Sequence, residues 1–407
     1  MKKKILWISR RAPYDRVAHA GGQIHNYLLK KFKKKENEDV YLISFASEDV
    51  VPFLDLEKYN IPSNIAVISS KKNVSYLLKK FFSLLFFPTI LLGFDSFWYV
   101  RHAFLASLKY KRKYGSPDVV VLQWTEMVNQ IIWLKKLFPN AKYVSIEEDV
   151  SFLRKKRHLD TSSFFSRPVK KILFHFFKQI EILSLNLSDL VVVNNEKDKN
   201  LIVNEVGKKD KLFVCHPYFQ NMRDVERKNI GKDLLFYGAM SRFDNYQSAI
   251  WFLENVFPEL EPLGFRFYVV GNSPHESLKK YNNGKNVFVT GFVDDVIPYF
   301  ERSLCLVAPL VTGAGIKIKV LEAMSVGLPV LTNEIGIEGI PAKNEKDFFF
   351  CRTAVEYRDK IIELSNNKSL MTNMGEQAKL FIRTNFDYQQ DAEVLYEKIR
   401  LLENADN

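Results

Sequence analysis

The chain has 407 residues, with 59 lysines and arginines against 47 aspartates and glutamates, a formal charge of +12. Its 47% hydrophobic and 26% charged content excludes disorder as the main state, and 17 glycines with 15 prolines exclude collagen-like and low-complexity chains. The length predicts two or three domains, each large enough to bury its own core.

The chain starts with Lys2, Lys3 and Lys4 and then an apolar run shorter than the ~7–15 residues of a secretory signal. Cys215, Cys305 and Cys351 are too widely spaced for a disulfide framework or metal ligation. Both features predict a cytoplasmic protein. The first half repeats one theme, a short β-rich run followed by a helical pattern. Strands are expected at 4–9, 40–45, 65–69, 119–122, 142–146, 190–193 and 211–214, and helices at 21–34, 74–87, 96–113, 125–137, 168–186 and 195–206. Several strands are apolar on both faces, as in a parallel sheet covered by helices on both sides. The polar stretch 216–232 opens with a proline turn and reads as a linker. Alternation then resumes, with strands at 233–237, 266–270, 287–290, 304–308 and 329–332. Helices are expected at 246–260, 295–302, 317–326, 354–366 and 368–384. A further helix, 388–403, follows a break at 385–387. The expected fold is α/β, with two Rossmann-like doubly wound domains at 1–215 and 233–385, a closing segment at 386–407, and a ligand in the cleft between the domains.

Charge is unevenly spread. Residues 1–210 carry 36 basic and 21 acidic side chains, and the remainder 23 and 26. The first half therefore holds all of the positive excess, which predicts an anionic partner for one domain only.

The strongest local feature runs from Val311 to Met324, VTGAGIKIKVLEAM. It follows an expected strand and a proline, then turns into a helix. Gly313 and Gly315 let the backbone approach a ligand, and the helix start offers free N–H groups; together they suit a diphosphate. Lys317 and Lys319 add cations in the first turn, where the helix dipole disfavours them unless an anion is bound. Glu322 is suited to accept hydrogen bonds from paired ribose hydroxyls. The plain alternative is a glycine-rich turn before an amphipathic helix, with two solvated lysines.

From Leu234 to Ile340 the chain resembles the C-terminal donor-binding domain of GT-B glycosyltransferases, in particular the large retaining group called family 4, or glycosyl transferases group 1. The matching pieces are LFYGAM ending at Met240, FYVVG ending at Gly271, VFVTGFV ending at Val293, LVAP ending at Pro309, the run from Gly313 to Gly327, and GIEG at 336–339. In the first half, Ala20-Gly21-Gly22 is similar to the family's glycine loop facing the donor phosphates, without the G-x-G-x-x-G fingerprint of dinucleotide enzymes. The helix 388–403 is similar to the family's closing helix. The resemblance implies transfer of a sugar from a nucleotide donor, UDP- or GDP-linked, with retention and with no metal or other cofactor. It implies that Glu322 binds the donor ribose, and that backbone amides at Gly315, Ile316 and Lys317 face the phosphates or the donor sugar. The loop of Gly291, Phe292 and Val293 is expected near the base, and Gly238 and Gly271 in the donor site. Two family positions differ. Ala314 stands where many members have a glutamate. The arginine and lysine of the G-R-x-x-x-x-K-G loop fall near Ala239 and Asp244, with Arg242, Lys317 and Lys319 as the candidate replacements.

Acid/base candidates are His19 and His25 beside the glycine loop, His102, Glu126, and the carboxylates Glu147, Glu148 and Asp149 at a strand end, where α/β sheets place ligands. For each one a surface or capping role is the plain reading; Glu148 is the one chosen as catalytic. Residues 71–113 interleave lysines and arginines with Phe81, Phe82, Phe86, Phe87, Phe97, Trp98 and Tyr99. Their longest uncharged part, 81–94, falls short of the ~20 residues of a spanning helix. Together with the basic-aromatic stretch 154–177, this predicts contact with an anionic membrane surface. Nucleic acid is not expected, since no recognisable binding motif is present. The sequence thus predicts a peripheral enzyme at the inner face of the membrane, passing a sugar to a glycan or lipid-linked acceptor in cell-surface polysaccharide synthesis. A nucleotide-sugar epimerase of the same fold and an inactive transferase kept as a scaffold are the alternatives.

Overall fold

The computed structural model describes residues 2–15, 17, 19–36, 38–68, 97–160, 167–207, 209–313 and 315–402. The expected helix at 74–87, the uncharged stretch 81–94 and Ala314 lie outside the described residues. The chain divides into two compact units, Met1–Tyr218 with Tyr388–Asn407, and Phe219–Asp387.

Unit 1 alternates strand and helix. It runs β1 (Lys3–Ser9), α1 (Ala20–Lys33), β2 (Glu38–Ser47), β3 (Ser63–Ile68), α2 (Phe97–Tyr114), β4 (Val119–Gln123), α3 (Thr125–Val128) and α4 (Ile131–Leu137). It continues with β5 (Lys142–Glu147), α5 (Ser151–Asp160), α6 (Arg167–Leu187), β6 (Leu190–Val193), α7 (Glu196–Val206) and β7 (Leu212–Val214). The seven strands are all parallel, in the order β3-β2-β1-β4-β5-β6-β7. Side chains alternate across β1. Ile5 and Trp7 pack with Leu28, Leu29 and Phe32 of α1 on one face, and Leu6 and Ile8 pack with Ala103 and Ala106 of α2 on the other. This is why the strand reads as a continuous apolar run.

Unit 2 repeats the plan. It runs β8 (Asp233–Tyr237), α8 (Phe243–Asn255), α9 (Phe257–Leu260), β9 (Arg266–Val270), α10 (Glu276–Lys279), β10 (Val287–Gly291) and α11 (Ile297–Arg302). Then come β11 (Cys305–Ala308), α12 (Ile318–Val326), β12 (Val330–Thr332), β13 (Phe349–Phe350), α13 (Ala354–Asn366) and α14 (Lys368–Asn385). Its six strands are parallel, in the order β10-β9-β8-β11-β12-β13. The strand order reverses beside β1 in the first sheet and beside β8 in the second, so each has a topological switch point, where open α/β sheets place ligands.

The last helix, α15 (Tyr388–Leu401), belongs to unit 1. Its Ala392, Leu395, Tyr396 and Ile399 are buried in the core that holds Trp7 and Phe32. Lys3 donates from Nζ to the Ile399 carbonyl at 2.9 Å, and Tyr396 donates to Glu38 at 2.9 Å.

The structure departs from the sequence reading at several elements. The helix expected at 125–137 is two helices, broken at Asn129 and Gln130. That expected at 246–260 starts three residues earlier and is interrupted before α9, whose first turn holds Pro258. Helix α5 has no predicted counterpart, because Arg154, Lys155, Lys156 and Arg157 mask its apolar period. Strand β13 is only two residues long, too short to show alternation. Residues 216–232 form no helix or strand, and the part after Tyr218 is tied into unit 2: Met222 is buried, and Arg227 donates to the carbonyls of Gly327 (3.0 Å) and Ser303. Among the described residues no helix is long and apolar enough to cross a membrane.

Candidate functional site

In unit 2, four segments meet at the C-terminal edge of the sheet around the switch point: the end of β8, the end of β9, the loop 309–317 after β11, and the start of α12. Gly238 follows β8 with φ +152, and Gly271 follows β9 with the same φ. A Cβ on Gly271 would fall on the Gly238 carbonyl oxygen, and one on Gly238 would meet Asn245 and the Lys319 ammonium. Only glycine allows the two strand ends to approach this closely.

The loop is braced from below. Thr332 donates to the Ala308 carbonyl at 2.8 Å, Asn333 to that of Leu310 at 2.9 Å, and the Val311 N–H to Ser248 Oγ at 3.1 Å. Gly313 and Gly315 have φ of +143 and +71. Lys317 is the N-cap of α12 and is buried; it donates from Nζ to the Gly315 carbonyl at 2.6 Å and lies 3.9 Å from Glu338. The sequence reading of two solvated lysines does not apply to it. Lys319 donates to Asn245 Oδ1 at 2.6 Å and sits over the Phe236 ring. Loss of solvent pushes its pKa down to about 7, with the nearby charges of Arg242 and Lys317 acting in the same direction.

Glu322 lies on α12 and is 4% exposed. Burial pushes its carboxyl up to about 8 against the opposing pull of the Gln220 N–H, which donates to it at 3.4 Å, and of Lys319. Near neutrality this carboxyl therefore holds a proton for much of the time, while the partly buried ammonium of Lys319 is ready to give one up. An anion placed among these groups would stabilise the charged lysine.

Arg242 sits apart from this cluster in its contacts. It is exposed and forks onto Asp244, with Nε to Oδ1 at 3.1 Å and a terminal nitrogen to Oδ2 at 3.0 Å. Phe292 follows β10 and is 70% exposed, with Val293 partly covered beside it. Glu338, within the GIEG piece, completes the surroundings with Asn245 and Gln220, the last two unmarked by the sequence. Asn245 had one available signal: it stands eight residues beyond the end of an expected strand, on the helix that faces Gly238.

Unit 1 carries a separate polar group at the ends of β4, β5 and β6. The Trp7 indole donates to Gln123 Oε1 at 3.1 Å, and Gln123 turns its amide nitrogen to Glu148 Oε1 at 2.6 Å. Since the indole can only donate, this contact fixes which way the Gln123 amide points. Asn194 donates to the Glu148 carbonyl at 3.0 Å and to Oε2 at 3.4 Å. Desolvation outweighs these bonds and pushes Glu148 up to about 7, a value suited to exchanging protons near neutral pH. Gly21, at the start of α1, lies against this carboxyl: a Cβ there would stand 3.4 Å from both the Glu148 carboxyl carbon and the Trp124 indole nitrogen. A Cβ on Gly22 would overlap His19 and Val17; His19 caps α1, accepting the Gly22 N–H at 2.9 Å.

Trp124 itself has φ +71 and ψ 141, a conformation costing about 1–3 kcal/mol that a bulky residue keeps only where the surroundings impose it. The other acid/base candidates sit in different surroundings. Glu147 is buried and accepts a bond from Thr125, and desolvation together with Glu181 holds its carboxyl far above the usual range. Asp149 pairs with Arg154 at 2.9 Å. Burial drives His25 down to about 3, and His102 is also lowered by burial. Glu126 lies on α3, in its first turn. Sequence reasoning singled out Glu148 but missed Gln123, Asn194 and Trp124, whose shared signal is their place just at or after the ends of apolar strands.

Two parallel Rossmann-like units of this kind are the GT-B architecture, and solved structures share it. Anabaena HepE, crystallised in complex with UDP, matches with a TM-score of 0.67 at 12% identity, over 99% of this chain and 100% of that one. Sucrose-phosphate synthase from Thermosynechococcus elongatus matches with a TM-score of 0.72 at 13% identity, over the whole of both chains. Residues 231–367 match the family described as glycosyl transferases group 1. An uncharacterized glycosyltransferase of Methanocaldococcus jannaschii is 22% identical over 288 residues, 66% of this chain and 70% of its own. A 44.6 kDa protein in the cps region of Klebsiella pneumoniae is 26% identical over 302 residues, 70% of this chain and 74% of its own. The chain is a glycosyltransferase of GT-B fold, and its second unit carries a group 1 domain.

Proposed function

We propose that the enzyme transfers a sugar, with retention, from a UDP- or GDP-linked donor held by unit 2 to a glycan or lipid-linked acceptor taken by unit 1. The observation that carries this reading is the grouping of Gly238, Gly271, the loop amides of Gly315, Ile316 and Lys317, the ammonium of Lys319 and the buried carboxyl of Glu322 at one sheet edge. Departure of a nucleoside diphosphate builds negative charge, and amides and cations already aimed at it lower the barrier without reorganisation. In this reading Lys317 and Lys319 meet the diphosphate in place of a metal ion, and Glu322 takes the ribose hydroxyls. Gly313 shapes the loop, while Phe292 and Val293 lie near the base and Arg242 supplies outlying positive charge. In unit 1, Gly21 lies against the carboxyl of Glu148, which, poised by Gln123 and Asn194, is the acid/base group. The UDP complex of Anabaena HepE supports the choice of a nucleotide ligand for this fold. The excess positive charge of the first half supports an acceptor carried at an anionic membrane face, as in cell-surface polysaccharide synthesis.

Calorimetric titration with UDP and GDP tests the reading. One of the two is expected to bind, with and without EDTA, and Glu322→Ala is expected to weaken it about tenfold, in line with the loss of hydrogen bonds to a buried carboxyl. Absence of binding by either nucleotide, or unchanged affinity in Glu322→Ala, would overturn the assignment.

A further inference from the structure

Among the described residues, helix α6 leaves one face without a protein partner. The opposite side is engaged: Glu181 and Leu185 are buried, Phe174 packs into the core, and Lys178 pairs with Glu205 at 2.6 Å. On the outer side Ile172, Phe176 and Leu183 are 59%, 52% and 48% exposed. Their spacing of four and then seven residues puts them on a single stripe at 3.6 residues per turn. Lys171 and His175, both exposed, flank that stripe, and Arg167 and Lys170 are exposed in the first turns of the same helix.

The surroundings are strongly basic. Residues 151–187, which span α5 and α6, contain eight lysines and arginines against two acids, Asp160 and Glu181. Glu181, the acid on α6, points inward and accepts the Ser151 N–H at 2.9 Å. On α5, Lys155 lies over the Phe177 ring at 3.7 Å, which fixes the helix pair without drawing on the outer cations. A stripe of bulky apolar side chains in strongly basic surroundings, with the one acid of α6 turned inward, matches a surface that is both apolar and anionic.

We infer that the outer face of α6 is a docking surface for an anionic lipid bilayer, seating Ile172, Phe176 and Leu183 among the acyl chains while Lys171 at the margin, with the exposed Arg167 and Lys170 of the first turns, attracts the headgroup charges. This deepens the acceptor-side reading of unit 1 and places the contact on α6. Three apolar side chains alone, or a few cations alone, give marginal and reversible attachment, so both parts of the face are needed.

Vesicle co-sedimentation of the full chain tests the inference, with phosphatidylcholine vesicles compared with mixed phosphatidylcholine–phosphatidylglycerol vesicles. The chain is expected to pellet with the anionic vesicles only, and to be released by salt. Ile172→Ser/Phe176→Ser/Leu183→Ser and Lys170→Gln/Lys171→Gln are each expected to weaken binding roughly tenfold or more. All five side chains are solvent-exposed, and unchanged circular dichroism shows that the variants fold. Binding that ignores lipid charge, or that survives both sets of substitutions, would overturn the inference. So would a lipid-free dimer in sedimentation velocity that the serine variant dissolves, since the face would then belong to a second copy. Titration of the same variants with UDP and GDP separates the two readings: vesicle docking lost with nucleotide binding intact supports α6 as the lipid face, and nucleotide binding absent from the wild type overturns the donor assignment alone.

Discussion

Gly271 shows how narrowly one residue confines the donor edge. Its φ of +152 and its place against the Gly238 carbonyl both exclude a side chain. Gly271→Ala is expected to destabilise unit 2 by about 3 kcal/mol, read as a lower urea midpoint. Gly284→Ala, at φ +63 with open space around it, should cost only about 1 kcal/mol. Glu148 makes a prediction of a different kind. Its carboxyl is raised from 4.5 to about 7 in the folded chain, so the folded state holds the proton more tightly than the unfolded one. The stability associated with that proton is fully present below about pH 4.5 and is lost as pH rises through about 7. Glu148→Gln is expected to flatten this fall in unfolding free energy between pH 5 and 8, measured by urea denaturation at a series of pH values. Lys319, lowered to about 7, acts in the opposite sense at higher pH: unfolding becomes harder as pH rises from about 7 towards the ordinary lysine range.

At the scale of elements, α12 is held in place by a close approach of two backbones. A Cβ on Gly375 of α14 would overlap the carbonyl of Gly327, the residue whose left-handed φ of +75 ends α12. A glycine inside a helix ordinarily gives up about 1 kcal/mol relative to alanine, so its presence in α14 marks a packing demand. Gly375→Ala is expected to lower stability by about 1–3 kcal/mol despite its better helix propensity. It should also weaken nucleotide binding, because α12 carries Glu322; urea denaturation and calorimetry read the two effects. Much of this layer was legible beforehand. The parallel strands announced themselves as apolar runs buried on both faces, and the glycine loop before α12 by its composition. Elements whose signal lies in packing were hidden. Helix α5 is masked by its own cations, β13 is too short to show a period, and the break at Asn129–Gln130 has no proline or glycine to mark it. The same division holds at the sites. Glu322 and Gly315 stand in a recognisable string, whereas Gln123 and Asn194 matter only through a hydrogen-bond path that links three strand ends.

At the scale of the molecule, the two units are built differently along the chain. Unit 2 is continuous from Phe219 to Asp387, whereas unit 1 is assembled from Met1–Tyr218 and Tyr388–Asn407. Within unit 1, α15 is fastened by several kinds of contact. Its Asp391 carboxylate accepts both the backbone N–H and the ring of His216, at 3.0 and 2.6 Å, and Lys35 pairs with Glu393 at 2.7 Å. Tyr27 stacks on Tyr218 with ring centroids 4.9 Å apart, and Tyr388 meets both edge-on. A chain ending at Asp387 would uncover Phe32, whose ring now meets Tyr396 edge-on, and the part of the core that Leu395, Tyr396 and Ile399 now fill. It is expected to lose several kcal/mol of stability in unit 1, about 2 for each large buried side chain removed, and to bind ANS, while residues 219–387 expressed alone keep a cooperative melt. The discontinuity also bears on synthesis. A ribosome emits the first two hundred residues long before the segment that seals their hydrophobic face. The later-made unit can therefore reach its native state first, and the earlier-made one waits, partly open, for translation to pass Leu401.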